Sequence, residues 1–103
     1  MKLFVVDPHT IYRRGLAVCL EALPEVTSVG HADGVRNAWE DERLFAADLV
    51  IVDHAMPGGA DFVGAVREAT GAPVVVCSSL CTEEAALAAL QSGAVGVLRK
   101  ETL

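Results

Sequence analysis

Cysteine, proline, aromatic side chains and positive charge are all scarce in this 103-residue chain, and each shortage narrows what it can be. The three cysteines, Cys19, Cys77 and Cys81, are odd in number and form no CxxC pair, which argues against a disulfide framework or a zinc site. They read as reduced thiols in apolar surroundings. Lys and Arg number 8 against 14 Asp and Glu, a formal net charge of -6, so this segment does not itself grip nucleic acid; any DNA contact falls to another domain. No apolar run approaches the roughly 20 residues of a membrane span. The start Met1-Lys2-Leu3-Phe4-Val5-Val6-Asp7 is interrupted too early for a signal peptide. A cytoplasmic chain without membrane contact is the expectation.

What the chain has is hydrophobicity. At 52% hydrophobic residues it can pack one core, and neither a repeat nor a linker divides it, so residues 1-103 read as one domain. Leu3 to Val6 is a short apolar strand ended by Asp7-Pro8. Thr10 is placed to cap a helix over Ile11 to Leu23, with Ile11, Val18, Leu20 and Leu23 in the core, Arg13-Arg14 outward, and Pro24 as its stop. Val26 to Ala32 reads as a second strand and Val35 to Phe45 as a polar helix held by Trp39 and Leu44. Asp48 to Asp53 is a continuous apolar strand, the kind that both faces of a parallel sheet bury.

After the turn Met56-Pro57-Gly58-Gly59, a helix over Asp61 to Ala69 turns Phe62, Val63 and Val66 inward. Pro73 to Cys77 is the fourth strand. Thr82 caps a helix with Glu83 and Glu84 in its first turn and Ala85 to Leu90 behind, closed by Gly93. Val95 to Arg99 is the fifth strand. Five strands alternating with four helices predict an α/β fold, a doubly wound five-stranded parallel sheet.

Four polar residues each follow an apolar run: Asp7, Asp53, Ser78 and Lys100. In a parallel sheet such positions share one edge, where two carboxylates, a hydroxyl and an ammonium suit phosphoryl transfer. His9, His31 and His54 form no evident triad, and Cys77 and Cys81 lack a basic phosphatase-like loop, so a stand-alone hydrolase is not expected.

Together with Asp53-His54-Ala55-Met56-Pro57-Gly58, Ser78-Ser79 and the ending Gly93-Ala94-Val95-Gly96-Val97-Leu98-Arg99-Lys100, this order resembles the receiver domain of bacterial two-component response regulators. His9, Tyr12-Arg13-Arg14-Gly15-Leu16 and Lys100-Glu101 resemble the subfamily attached to a LuxR/NarL-type helix-turn-helix output domain. The resemblance implies a flavodoxin-like sheet of order 2-1-3-4-5 and a sensor histidine kinase as partner. It implies Asp53 as phosphoacceptor, and Lys100 and Ser78 as its phosphoryl contacts. It implies Mg2+ held by Asp7, Asp53 and the backbone carbonyl of Ala55.

The chain departs from that pattern in three ways. Pro8 stands where the family has a second acid, and offers neither a carboxylate nor an N–H, so Mg2+ binding and phosphorylation are expected to be weak or absent. Val97 replaces the usual Tyr or Phe of the fifth strand, which weakens coupling to Ser78. The family's fifth helix, which would follow Lys100, has no counterpart before Leu103, which predicts exposed apolar surface, homodimer association, and a chain truncated ahead of its output domain. An atypical receiver controlling transcription is the leading expectation. An ordinary phospho-accepting receiver and a ligand-binding regulatory module using the same pocket are the alternatives.

Overall fold

The computed structural model describes residues 1-79 and 82-102. Five strands form one parallel sheet: β1 (Lys2–Val6), β2 (Ser28–Ala32), β3 (Leu49–Val52), β4 (Val74–Ser78) and β5 (Gly96–Arg99), in the order β2-β1-β3-β4-β5. The helices are α1 (Thr10–Glu21), α2 (Val35–Trp39), α3 (Glu42–Phe45), α4 (Gly59–Thr70) and α5 (Glu83–Gln91), and Lys100–Thr102 form a 3-10 turn. The register sets Val6 beside both Ala32 and Val52, and Val52 beside Val76, so the strands end nearly level at their carboxyl edge.

Alternation along β1 sorts two cores. Phe4 and Val6 join Val50, Val52, Val74 and Val76 beneath α2 to α5, where Leu44, Phe62, Val63, Val66 and Ala89 close the layer. Leu3 and Val5 face the other way and meet Ala17, Leu16 and Leu20 of α1. Gly30 lets β2 lie close over Phe4, because a Cβ there would stand 2.8 Å from the ring.

The structure corrects the sequence reading of the first helix. Ile11 and Val18 are 89% and 68% exposed, Leu23 is exposed, and Arg13 is buried. Arg13, Leu16, Ala17 and Leu20 recur at three- and four-residue steps and so share the sheet-facing stripe. Arg13 tolerates that place because its guanidinium donates to the Asp7 carbonyl (2.9 Å) and to His31 Nδ1 (3.1 Å). Cys19 is exposed rather than a core thiol; Cys77 is buried as expected, and the reading of Cys81 lies outside the described residues. Thr10 begins the helix instead of capping it; the cap position is His9.

A second correction concerns the polar helix expected over Val35 to Phe45. It breaks into α2 and α3, making five helices rather than four among the described residues, because the Asp41 side chain accepts from the Arg43 amide (2.9 Å) and starts a new helix. Trp39 nevertheless meets the core as expected, edge-on to Phe62 with ring centroids 5.2 Å apart. Thr82 caps α5 through the Ala85 amide at 3.1 Å, also as expected. No helix among the described residues is long and apolar enough to cross a membrane.

Candidate functional site

The acid cluster is built from the ends of the two central strands. Asp7 and Asp53 follow β1 and β3, and their amides continue the ladder into the turn: Asp7 N donates to Ala32 O (3.1 Å) and Asp53 N to Val6 O (2.8 Å). Each carboxylate is then tied to the amide two residues on, Asp7 Oδ1 by His9 N (2.8 Å) and Asp53 Oδ1 by Ala55 N (3.0 Å). Both acids are only 2% exposed.

The turn after Asp53 depends on two glycines. Gly58 sits at φ +76, and Gly59 lies so near the His54 carbonyl that a Cβ would come within 2.8 Å of it. This packing lets α4 start at Gly59, earlier than the expected Asp61, and keeps the Ala55 backbone beside the Asp53 carboxylate.

Lys100 reaches in from the end of β5. Its Nζ stands 2.8 Å from Asp7 Oδ2 and 3.2 Å from Asp53 Oδ2, and 4.4 Å above the Tyr12 ring centroid. Burial pulls the ammonium down, but the hydrogen bond to Asp7 and the charges of both acids outweigh it and hold Lys100 above the ordinary lysine range. Ser78, buried at the last position of β4, pairs in register with Arg99, one residue before Lys100. Tyr12 Oη meets Cys77 Sγ at 3.3 Å; burial pushes both groups toward their protonated forms, and the contact adds to that push on Tyr12 while opposing it on Cys77.

Asp7, Asp53 and Lys100 are therefore brought together, with Ser78 on the adjoining strand end and Ala55 in the adjoining turn. Pro8 is exposed beside Asp7, and Val97 is partly buried against the larger core. Sequence reasoning missed His9 as part of the site. Its Nδ1 lies 3.0 Å from Asp7 Oδ1 and 3.5 Å from Asp53 Oδ2, and the three side chains bring ligand atoms within 4.8 Å of one another. The available signal was its spacing, two residues after an acid at a strand end. Two buried carboxylates whose oxygens already hold an ammonium at hydrogen-bond distance fit a divalent cation.

Arg13 of α1 and His31 of β2 brace this cluster. Burial first, then the charges of Arg13, Arg43 and Arg14, lower His31 below its ordinary value of 6.5, so the folded chain keeps it neutral with Nδ1 free to accept from Arg13. A site that disfavours the proton when folded contributes stability above about 6.5 that is lost as pH falls. Thermal melts from pH 7.5 to 5.5 are expected to lose midpoint temperature, and His31→Gln, which keeps an acceptor for Arg13, should flatten that slope. Equal slopes for the two chains would refute this role.

The sequence model for the response regulator receiver domain matches residues 3–102. Among curated proteins, a protein-glutamate methylesterase/protein-glutamine glutaminase of Anaeromyxobacter dehalogenans is 36% identical over all of this chain and 30% of its own length. The chain thus spans about a third of that relative. The signal receiver domain of response regulator NarL from Mycobacterium tuberculosis is 31% identical with a TM-score of 0.87, covering 99% of this chain and 85% of that one. A LuxR-family two-component response regulator from Aurantimonas is 27% identical with a TM-score of 0.84, covering 96% and 73% respectively.

Proposed function

Because the chain belongs to the response regulator receiver domain family, a family of regulatory modules, we propose that it is the phosphoryl-accepting switch of a cytoplasmic LuxR-type transcription regulator, with phosphorylation weakened by Pro8. The observation that supports this reading best is the Lys100 ammonium 3.2 Å from Asp53 Oδ2 in a buried pocket at the carboxyl edge of the sheet.

In this reading Asp53 attacks the phosphorus of a phosphohistidine on a sensor histidine kinase. The P–N bond breaks with its electron pair leaving on the imidazole, and an acyl phosphate forms on Asp53. Lys100 gives a fixed positive charge to one phosphoryl oxygen, and the Ser78 hydroxyl donates to another. Asp7, Asp53 and the Ala55 carbonyl are the groups that would hold Mg2+, which when bound supplies charge neutralisation. The lost second acid weakens that hold: a unit charge at about 4 Å is worth roughly 4 kcal/mol at an effective dielectric near 20. Val97 has no ring to swing inward, so the phosphorylated state reaches its output chiefly by a change in association or in exposure of a DNA-binding domain. Ile11 and Leu98, both exposed and apolar, offer surface for pairing of two copies.

Labelling with acetyl phosphate and Mg2+ tests the weakening. The chain is expected to label slowly and incompletely, and Pro8→Asp to label at least about tenfold faster, as the returned charge dictates. Rapid, full labelling of the unaltered chain, with no gain in Pro8→Asp, would make it an ordinary phospho-accepting receiver. The identity to a methylesterase favours a second reading of the output, in which the same switch governs an esterase domain. The run Tyr12-Arg13-Arg14-Gly15-Leu16 supports the LuxR-type reading over it.

A further inference from the structure

His9 does more than follow Asp7. An ammonium has only donors, so Lys100 Nζ, 2.9 Å from His9 Nδ1, meets that nitrogen through its lone pair. The same nitrogen lies 3.0 Å from Asp7 Oδ1 and 3.5 Å from Asp53 Oδ2, neither of which carries a proton to offer it when ionised. In the tautomer that leaves Nδ1 without a proton, one nitrogen and two carboxylates face the same ammonium with lone pairs, and ligand atoms of the three residues all lie within 4.8 Å of one another. Left to themselves they would repel; an ammonium, 2.8 Å and 3.2 Å from the acids, holds the place of a cation among them.

The chemistry of that donor set differs from an all-oxygen site. Imidazole nitrogen suits Zn, Cu, Fe and Ni, whereas carboxylate, carbonyl and water suit Mg and Ca. Pro8 takes one oxygen donor away, and the next residue brings a nitrogen within reach of both remaining acids. We propose that His9 supplies Nδ1 as a third protein ligand beside Asp7 and Asp53, so that this site selects divalent first-row transition ions over Mg2+. The inference rests on the reading of Asp7 and Asp53 as the metal-holding pair.

Co2+ and Mg2+ titrated separately into the chain and into His9→Ala test it. The His9 side chain is 60% exposed, so its removal leaves the fold in place, which circular dichroism verifies. The ratio of Co2+ to Mg2+ affinity is expected to be at least about tenfold higher in the unaltered chain than in His9→Ala, the size of a lost metal-site partner. With Mn2+ bound, pulsed paramagnetic resonance should show coupling to a directly bound nitrogen that His9→Ala abolishes. An unchanged affinity ratio with no nitrogen coupling overturns the imidazole ligand alone and leaves the acidic pair standing. Failure of both ions to bind overturns the pair as well.

Discussion

Asp53→Asn is expected to take up no phosphoryl group from acetyl phosphate, under conditions in which the unaltered chain labels measurably. The amide is neutral and its oxygen too poor a nucleophile to displace the leaving group of acetyl phosphate, so no bond to phosphorus forms. The exchange is nearly isosteric and leaves an oxygen to accept from the Ala55 amide, which now does so at 3.0 Å, so the turn beneath the site survives. It also lifts one of two negative charges buried within reach of Lys100, so the variant folds at least as well as its parent. Intact mass of the treated chain, followed by peptide mapping, reads the result. Label retained at the parental level would move the acceptor elsewhere, with Asp7 the first place to look.

Lys100→Met removes the cation that both carboxylates share. Asp7 and Asp53 are only 2% exposed and the Lys100 side chain 10%, so the loss leaves charge in a pocket that water barely reaches. Removing one partner of a buried pair typically costs 3–5 kcal/mol. Urea unfolding at pH 7 is expected to show a loss of about 3 kcal/mol, with much of it recovered in a double variant that also carries Asp7→Asn. The pH dependence follows from sign. Lys100 is held above its ordinary 10.5, burial opposing and the two acids prevailing, so the pairing stabilises fully below about 10.5 and is lost as pH climbs through the higher folded-state value. Parent and variant should therefore converge in alkali. A variant as stable as the parent at neutral pH would refute the pairing as a structural support.

The parallel sheet was legible because each central strand is an uninterrupted apolar run, and such runs are buried on both faces only when helices alternate with them. Asp7, Asp53, Ser78 and Lys100 were legible for the same reason: each stands at the end of a largely apolar run, and parallel strands end on one side. The first helix was not, because an arginine at a core position defeats a reading by residue class. Arg13 is buried by virtue of two acceptors, the Asp7 carbonyl and His31 Nδ1, that lie elsewhere in the chain. The break between α2 and α3 escaped for a local reason, a side-chain cap from Asp41 that competes with continuation of the helix.

By itself, then, the order of apolar runs and the residues that end them determined the class of fold, its family and the four polar ends of its pocket. Tertiary structure alone decided that Lys100 bridges both acids, that Arg13 turns inward, and that His9 shares its nitrogen with Asp7, Asp53 and Lys100. Periodicity is a property of neighbours along the chain, whereas a charge or a lone pair is satisfied by whatever the fold carries to within about 3 Å of it.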